Sequence, residues 1–231
     1  DATKTITPGL LITSGESADV QAGTAGDDEY RGNGGSDQFS AGLGNDSLDS
    51  GTGDDIMAGG GGNDTVLAGT GNDVIYGGDA TNPSASGNDF IDGGDGNDSV
   101  IAGDGDDDVL GGAGADTVLA GSGNDSVDGG DGTDSISGGD GNDTLIGGAG
   151  DDTLTGGAGS DVFLFASGSG QDSITDFATG DKVRLLGGTG SGAVVTQTAT
   201  DTVLAWGGIQ VTLTGIKLAT DNSTNWFEYV A

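Results

Sequence analysis

From Gly93 to Leu164 the chain repeats one nine-residue order eight times without a slip: GGDGNDSVI, AGDGDDDVL, GGAGADTVL, AGSGNDSVD, GGDGTDSIS, GGDGNDTLI, GGAGDDTLT, GGAGSDVFL. Each unit reads Gly or Ala, Gly, any residue, Gly, any residue, Asp, any residue, a large apolar residue, any residue. Such a period constrains the fold more tightly than composition, because every unit must bury its surface in the same way. Glycines at positions one, two and four let the backbone take positive φ and bend where a Cβ would clash. The apolar eighth position between variable neighbours is the period-two signature of a three-residue strand with one buried face. The first six positions are expected to turn and the last three to extend. One unit buries too little to fold alone, so the units are expected to stack into an all-β solenoid.

Six further units precede this run from Gly23: GTAGDDEYR, GNGGSDQFS, AGLGNDSLD, SGTGDDIMA, GGGGNDTVL and AGTGNDVIY. A seventh begins Gly77-Gly78-Asp79, carries seven extra residues from Ala80 to Ser86, and resumes at Gly87-Asn88-Asp89. That makes fifteen units over residues 23–164. The insertion ATNPSAS is expected to bulge from a turn and leave the flanking strands in place.

Packing does not explain the Asp at position six of every unit: Asp28, Asp37, Asp46, Asp55, Asp64, Asp73, Asp89, Asp98, Asp107, Asp116, Asp125, Asp134, Asp143, Asp152 and Asp161. Stacking brings these carboxylates close together, where like charges repel. A cation must lie between them. With five Lys and Arg in total and no His, the protein cannot supply it. Carboxylate and turn-carbonyl oxygens suit a hard divalent ion, and flexible glycine loops suit Ca²⁺ better than the stricter Mg²⁺ octahedron.

A net charge of -33, 52 Gly and only 32% hydrophobic residues predict disorder without metal. With metal, each ion offsets two charges and clamps neighbouring turns. The absence of Cys excludes disulfides and thiolate metal sites, and without His or Cys no zinc site or catalytic triad is available, so no enzymatic activity is expected in this chain. The same negative charge disfavours nucleic acid. No glycine loop ends in the Gly-Lys-Ser or Gly-Lys-Thr of a P-loop. No apolar run is long enough to span a membrane, and no basic segment followed by an apolar one opens the chain. The chain starts at Asp1, as a mature product or a piece of something longer would.

Residues 1–22 read as a lead-in, with apolar segments at Ile6 and at Leu10 to Ile12 split by Pro8-Gly9. Within it, SGESADVQA keeps Gly15 and Asp19 in phase but puts Gln21 at the apolar position, as in a decayed repeat. Residues 165–231 read as a cap. Asp172, Ile174, Asp176, Phe177, Asp181 and Leu185 keep an echo of the period. Alternating runs at 193–199 and 202–213 are expected to be strands, the second broken by Gly207-Gly208 as in a tight hairpin. Phe163, Phe165, Phe177, Trp206, Trp226 and Phe227 are expected to build a small core that covers the open end.

The nonapeptide resembles the RTX repeat, a Ca²⁺-binding β-helix unit, and Ser160 to Leu186 resembles the segment that follows such repeats in bacterial proteins exported by type I secretion. The resemblance implies a right-handed parallel β-roll with two units per turn, a ladder of Ca²⁺ ions along both edges, and a secreted or cell-surface protein. It implies that one loop offers the carbonyls of positions two and four and its Asp. The loop two units on offers those of positions one and three and its Asp. On this pattern Gly94, Gly96, Gly103, Gly105, Gly112, Gly114, Gly121 and Gly123 face Gly111, Ala113, Ala120, Ser122, Gly129, Asp131, Gly138 and Asp140. One such site joins Gly112, Gly114 and Asp116 to Gly129, Asp131 and Asp134. Fifteen units form thirteen pairs two apart, of which roughly ten are expected to fill at millimolar Ca²⁺. The weak ones are expected at the ends and where Thr24 or the 80–86 insertion departs from the pattern.

A second reading is self-association, as in surface-layer and adhesin proteins that share these repeats. Alternate units share a sheet, so Ile56, Val74, Tyr76, Ile101 and Leu119 are expected outward on one sheet, and Leu67, Phe90, Leu110 and Ile146 on the other. The ending Trp226-Phe227-Glu228-Tyr229-Val230-Ala231, an acidic residue before a short apolar end, resembles an uncleaved type I export signal and also suits a packed terminal strand.

Overall fold

The structure is a computed structural model that describes residues 11–81, 86–186, 194–197, 201–206, 209–214 and 227–230. The lead-in around Ile6, the centre of the insertion, Gly207-Gly208, Trp226, Ala231 and the side chains of Trp206 and Phe227 lie outside the described residues. Every described element is a strand, and as far as Lys182–Leu186 successive strands alternate between two sheets, forming a β-solenoid of about ten turns. One sheet has eleven strands, starting at Leu11–Thr13 and ending with Lys182–Leu186 beside Phe227–Val230. The other has twelve, starting at Val20–Ala22.

Pairing between turns is parallel and in strict register. Val100 pairs with Val118, Val118 with Ile136, and Ile136 with Leu154, so identical positions stack. The inward side chains Val100, Val109, Val118, Val127, Leu145 and Leu154 are fully buried, forming a stripe one residue wide on each sheet. Each contributes about 1.5–3 kcal/mol on burial. With one such residue per unit, the core is thin. Across the insertion the register is kept by a longer step: Val66 pairs with Ile91, and Ile75 with Val100.

Strand and turn divide differently from the sequence expectation. Many strands have six residues rather than three, as in Ser99–Asp104, Asp108–Ala113 and Thr117–Ser122, and run on through positions one to three of the next unit. Position one lies two residues after position eight and so faces inward again; Ala41, Ala68, Ala102 and Ala120 are fully buried there. Positive φ occurs at positions two and four, for example Gly94 at 92° and Gly96 at 144°, and not at Gly93, Gly111 or Gly129. Position one is thus a small residue, Gly, Ala or once Ser50, for want of space, not for backbone freedom.

Past the last repeat the stacking continues. Leu154 pairs with Ile174, and Val162 to Ala166 pairs with Lys182 to Leu186. Ile209–Leu213 joins Gln171–Ile174 in parallel, and Thr202–Trp206 and Val194–Gln197 follow antiparallel, closing the twelve-stranded sheet with a meander. Phe163, Phe165 and Phe177 are buried, with Phe163 and Phe177 tilted against each other at 6.1 Å between centroids.

Candidate metal centre

Every position-six Asp sits where the chain leaves a turn to enter a strand, and each is 1–3% exposed. From Asp37 onward its Oδ1 accepts the backbone N–H of the equivalent Asp one turn earlier: Asp98 donates to Asp116 and Asp116 to Asp134, both at 2.8 Å. Asp28, at the start of its ladder, only donates along it, and its Oδ1 is buried without a partner. One ladder of this kind runs from Asp19 to Asp172 and the other from Asp28 to Asp181. Both therefore pass one turn beyond Leu164. This explains the echo of the period at Asp172 and Asp181.

The second oxygen is the anomaly. Oδ2 of Asp37, Asp46, Asp55, Asp64, Asp73, Asp98, Asp107, Asp116, Asp125, Asp134, Asp143, Asp152 and Asp161 is buried with no hydrogen-bond partner. Leaving a buried polar group unsatisfied costs about 1–3 kcal/mol, more when it is charged. Thirteen of them match or exceed the stability of an ordinary domain, about 5–15 kcal/mol.

In the units that begin with Gly, this oxygen points into a notch that the glycine leaves open. A Cβ on Gly111 would lie 2.5 Å from the Gly129 carbonyl oxygen and 2.9 Å from Asp116 Oδ2. At Gly129 the same point lies 2.5 Å from the Gly147 carbonyl and 2.6 Å from Asp134 Oδ2. Each notch thus gathers a carboxylate oxygen from one unit and the position-one carbonyl of the unit two further on. Among the described residues no three His, Cys, Asp or Glu side chains converge on a point, so a cation in a notch would draw on main-chain oxygens beside the carboxylate. Of the other carbonyls in the expected set, Gly94 accepts Ala113 N–H at 2.7 Å and Asp131 accepts Gly114 N–H at 2.7 Å. Each keeps a second lone pair. An all-oxygen set of this kind fits a hard cation.

Electrostatics points the same way. Burial pushes the carboxyls of Asp46, Asp98, Asp134, Asp143 and Asp172 up to about 6, and those of Asp64, Asp73 and Asp107 up to about 7. The ladder N–H pulls each one down, and neighbouring carboxylates push it further up. A cation in the notch relieves both the burial and the repulsion.

Two features escaped the sequence reading. Position five forms an exposed ladder in which Asn124 N–H donates to Asp106 Oδ1 at 2.7 Å and Asn142 N–H to Asn124 Oδ1 at 3.1 Å; the recurrent Asn and Asp there were its signal. Hydroxyls also reach three of the carboxylates: Thr24 Oγ1 donates to Asp28 Oδ2 at 2.8 Å, Ser86 Oγ to Asp89 at 2.7 Å and Ser169 Oγ to Asp172 at 3.1 Å.

Fold and notch together define a class: a parallel β-solenoid whose stacked turns line both edges with oxygen donors for hard cations. The sequence profile of the RTX calcium-binding nonapeptide repeat, four copies long, matches residues 22–57, 58–82, 84–118, 110–145 and 137–174. The chain belongs to the RTX calcium-binding nonapeptide-repeat family. Repeats of this family bind Ca²⁺ and are structural rather than catalytic. A search of curated proteins finds no match. Among solved structures, the extracellular lipase LipA from Serratia marcescens is similar at 20% identity and a TM-score of 0.35, over 97% of this chain and 40% of that one. No helix among the described residues is long and apolar enough to cross a membrane.

Proposed function

We propose that this chain is an extracellular module that folds on binding Ca²⁺ and supports export and folding of a secreted protein through a type I secretion machinery. The observation that carries the reading is the set of buried, unpartnered Asp Oδ2 atoms beside glycine notches. Proteins with RTX repeats are typically secreted. The residues that would hold the ions are the carbonyls of Gly94, Gly96, Gly103, Gly105, Gly112, Gly114, Gly121 and Gly123, those of Gly111, Ala113, Ala120, Ser122, Gly129, Asp131, Gly138 and Asp140, and the flanking ladder aspartates. A bound ion supplies positive charge and a cross-link between turns. In cytosol, where Ca²⁺ is scarce, the chain stays extended and threads an export channel; outside, binding free energy becomes folding free energy. Phe227–Val230, a strand beside Lys182–Leu186 in the folded chain, serves export before folding. Calorimetry and circular dichroism during a Ca²⁺ titration test the reading: about ten ions and a coincident gain of strand signal are expected, and fewer than about four ions overturns it.

A second reading, self-association at a cell surface, has its own observation. At positions seven and nine the twelve-stranded sheet carries no charge from Gln38 to Thr155, and it exposes Ile56 and Leu119 at 41% and 46%. The other sheet carries Glu29, Arg31, Asp49, Asp92, Asp108 and Asp128 at those positions. The uncharged face is where two chains of this charge approach with least repulsion. Sedimentation of the Ca²⁺-loaded chain tests it, with a concentration-dependent dimer expected and a monomer throughout against it.

A further inference from the structure

The 80–86 insertion ends in a residue that reaches into the metal ladder. In a regular unit, the Asp Oδ2 and the position-one carbonyl two units on converge at the position-one glycine, as Asp116 Oδ2 and the Gly129 carbonyl do at Gly111. In the seventh unit the corresponding atoms are Asp89 Oδ2 and the Ala102 carbonyl, which converge at Gly77. Ser86 Oγ lies 2.7 Å from Asp89 Oδ2 and 3.3 Å from the Ala102 oxygen. It touches the two atoms that a cation would bridge.

Other hydroxyls repeat this arrangement where the repeat ends. Ser169 stands three residues before Asp172, as Ser86 does before Asp89, and donates to it where the next strand in the sheet, Ile209–Leu213, belongs to no repeat. Thr24 donates to Asp28 in the first unit, where the Tyr30 hydroxyl also crowds the notch at Gly23. Regular units with a hydroxyl residue at position three, such as Thr52, Thr70 and Ser122, leave Oδ2 of Asp55, Asp73 and Asp125 without a partner. The contact at Ser86 is therefore particular to the interrupted unit.

We infer that the Ser86 hydroxyl takes the place of a cation at the Asp89–Ala102 notch, so that one edge ladder is interrupted there while the opposite edge runs on. The inference rests on the Ca²⁺ reading above. Ser86 thereby divides the ions of one edge into a group before Asp89 and a group after it, and the two groups bind without a shared neighbour. A donated proton satisfies Oδ2 but brings no full charge, so the turns at this point are joined by hydrogen bonds alone.

The test counts ions. The whole chain is equilibrated with millimolar Ca²⁺, freed of unbound metal, and measured by native mass spectrometry beside Ser86→Ala and Ser86→Gly. Removing the hydroxyl frees the notch, so both variants are expected to carry one more Ca²⁺ than the unaltered chain. An unchanged count, or the loss of one ion as expected of a serine that ligates the metal, overturns the inference while leaving the Ca²⁺ reading intact. An unaltered chain that binds no Ca²⁺ refutes the reading and the inference with it. Crystals of the Ca²⁺-loaded, unaltered chain give an independent measurement that needs no variant. Anomalous density is expected at the notches of Asp64 and Asp143, which Gly59 and Gly138 leave open on the same edge, and absent at that of Asp89, and a peak at Asp89 sinks the proposal.

Discussion

The amide of Asp98 donates to Oδ1 of Asp116 at 2.8 Å, one turn further along the roll, and leaves Oδ2 of Asp116 buried without a partner. One oxygen serves the backbone, and the other is the one proposed to meet a cation. The two roles can be separated by mutation.

Asp116→Asn keeps an acceptor for Asp98 N–H but removes the charge. In EDTA it is expected to favour the ordered state, because no carboxylate remains to be desolvated there. In millimolar Ca²⁺ it is expected to destabilise by about 1–3 kcal/mol, through the lost ion. Asp116→Ala removes both roles and is expected to be destabilising in either condition. Thermal melts of the variants with and without Ca²⁺ check the reversal of sign; the same sign for Asn in both conditions counts against it.

Glycines of neighbouring positions differ in what they tolerate. Gly114, at φ 146°, would drive a Cβ onto the Gly96 carbonyl, so Gly114→Ala is expected to cost more than the roughly 1–2 kcal/mol of a left-handed residue. Gly111→Ala is expected to cost less than Gly114→Ala, because Gly111 has no positive φ and Ala102 and Ala120 stand at the equivalent position of other units, but its Cβ would meet the Gly129 carbonyl oxygen at 2.5 Å and Asp116 Oδ2 at 2.9 Å, so the turn must shift to take it. Melting temperatures at fixed Ca²⁺ compare them, and an equal loss would argue against the distinction.

Acidity acts in opposite directions with and without metal. In EDTA the folded pKa values of Asp64, Asp73 and Asp107, pushed by burial up to about 7, lie above the unfolded value of 3.8. Stability from these groups is then fully present below the unfolded pKa and is lost as pH rises through the folded one. The metal-free chain is expected to gain order as pH falls from about 7 to about 4. With Ca²⁺ the ligand must be deprotonated, so the loaded roll is expected to lose order over the same range. Far-ultraviolet circular dichroism in both conditions reads the two slopes, and parallel slopes refute the account.

The cap is expected to nucleate folding, with repeats ordering from Leu164 toward Gly23. It supplies buried Phe165 and Phe177, the latter packed on Phe163 of the last repeat, and its Asp172 and Asp181 receive the last ladder hydrogen bonds. Deleting residues 165–231 is expected to leave most repeats disordered at millimolar Ca²⁺. Full strand signal from the truncated chain would show that the repeats order unaided.

Hydrogen exchange of residues 93–164 tests the compartment switch directly. Protection is expected in millimolar Ca²⁺ and absent in EDTA near neutral pH. Strong protection in EDTA would mean that the thin core stands without metal.

The sequence alone determined the solenoid, the inward eighth residue, the alternation of units between two sheets, and the need for a cation beside Asp. These follow from local rules, since every unit in a periodic chain meets a copy of itself. Ile56 and Leu119 could be assigned to one sheet and Leu67 and Leu110 to the other by counting. Tertiary structure alone decided what depends on atoms a turn away. Position one reads as a flexible turn in Gly111 until the Gly129 carbonyl and Asp116 Oδ2 are seen to fill the space of its Cβ. Ser86 reads as a small polar residue in a loop until its hydroxyl meets Asp89 and Ala102. Composition does not reveal which oxygen of a carboxylate is already engaged, because the donor lies on the preceding turn and its direction is set by the stacking of the turns.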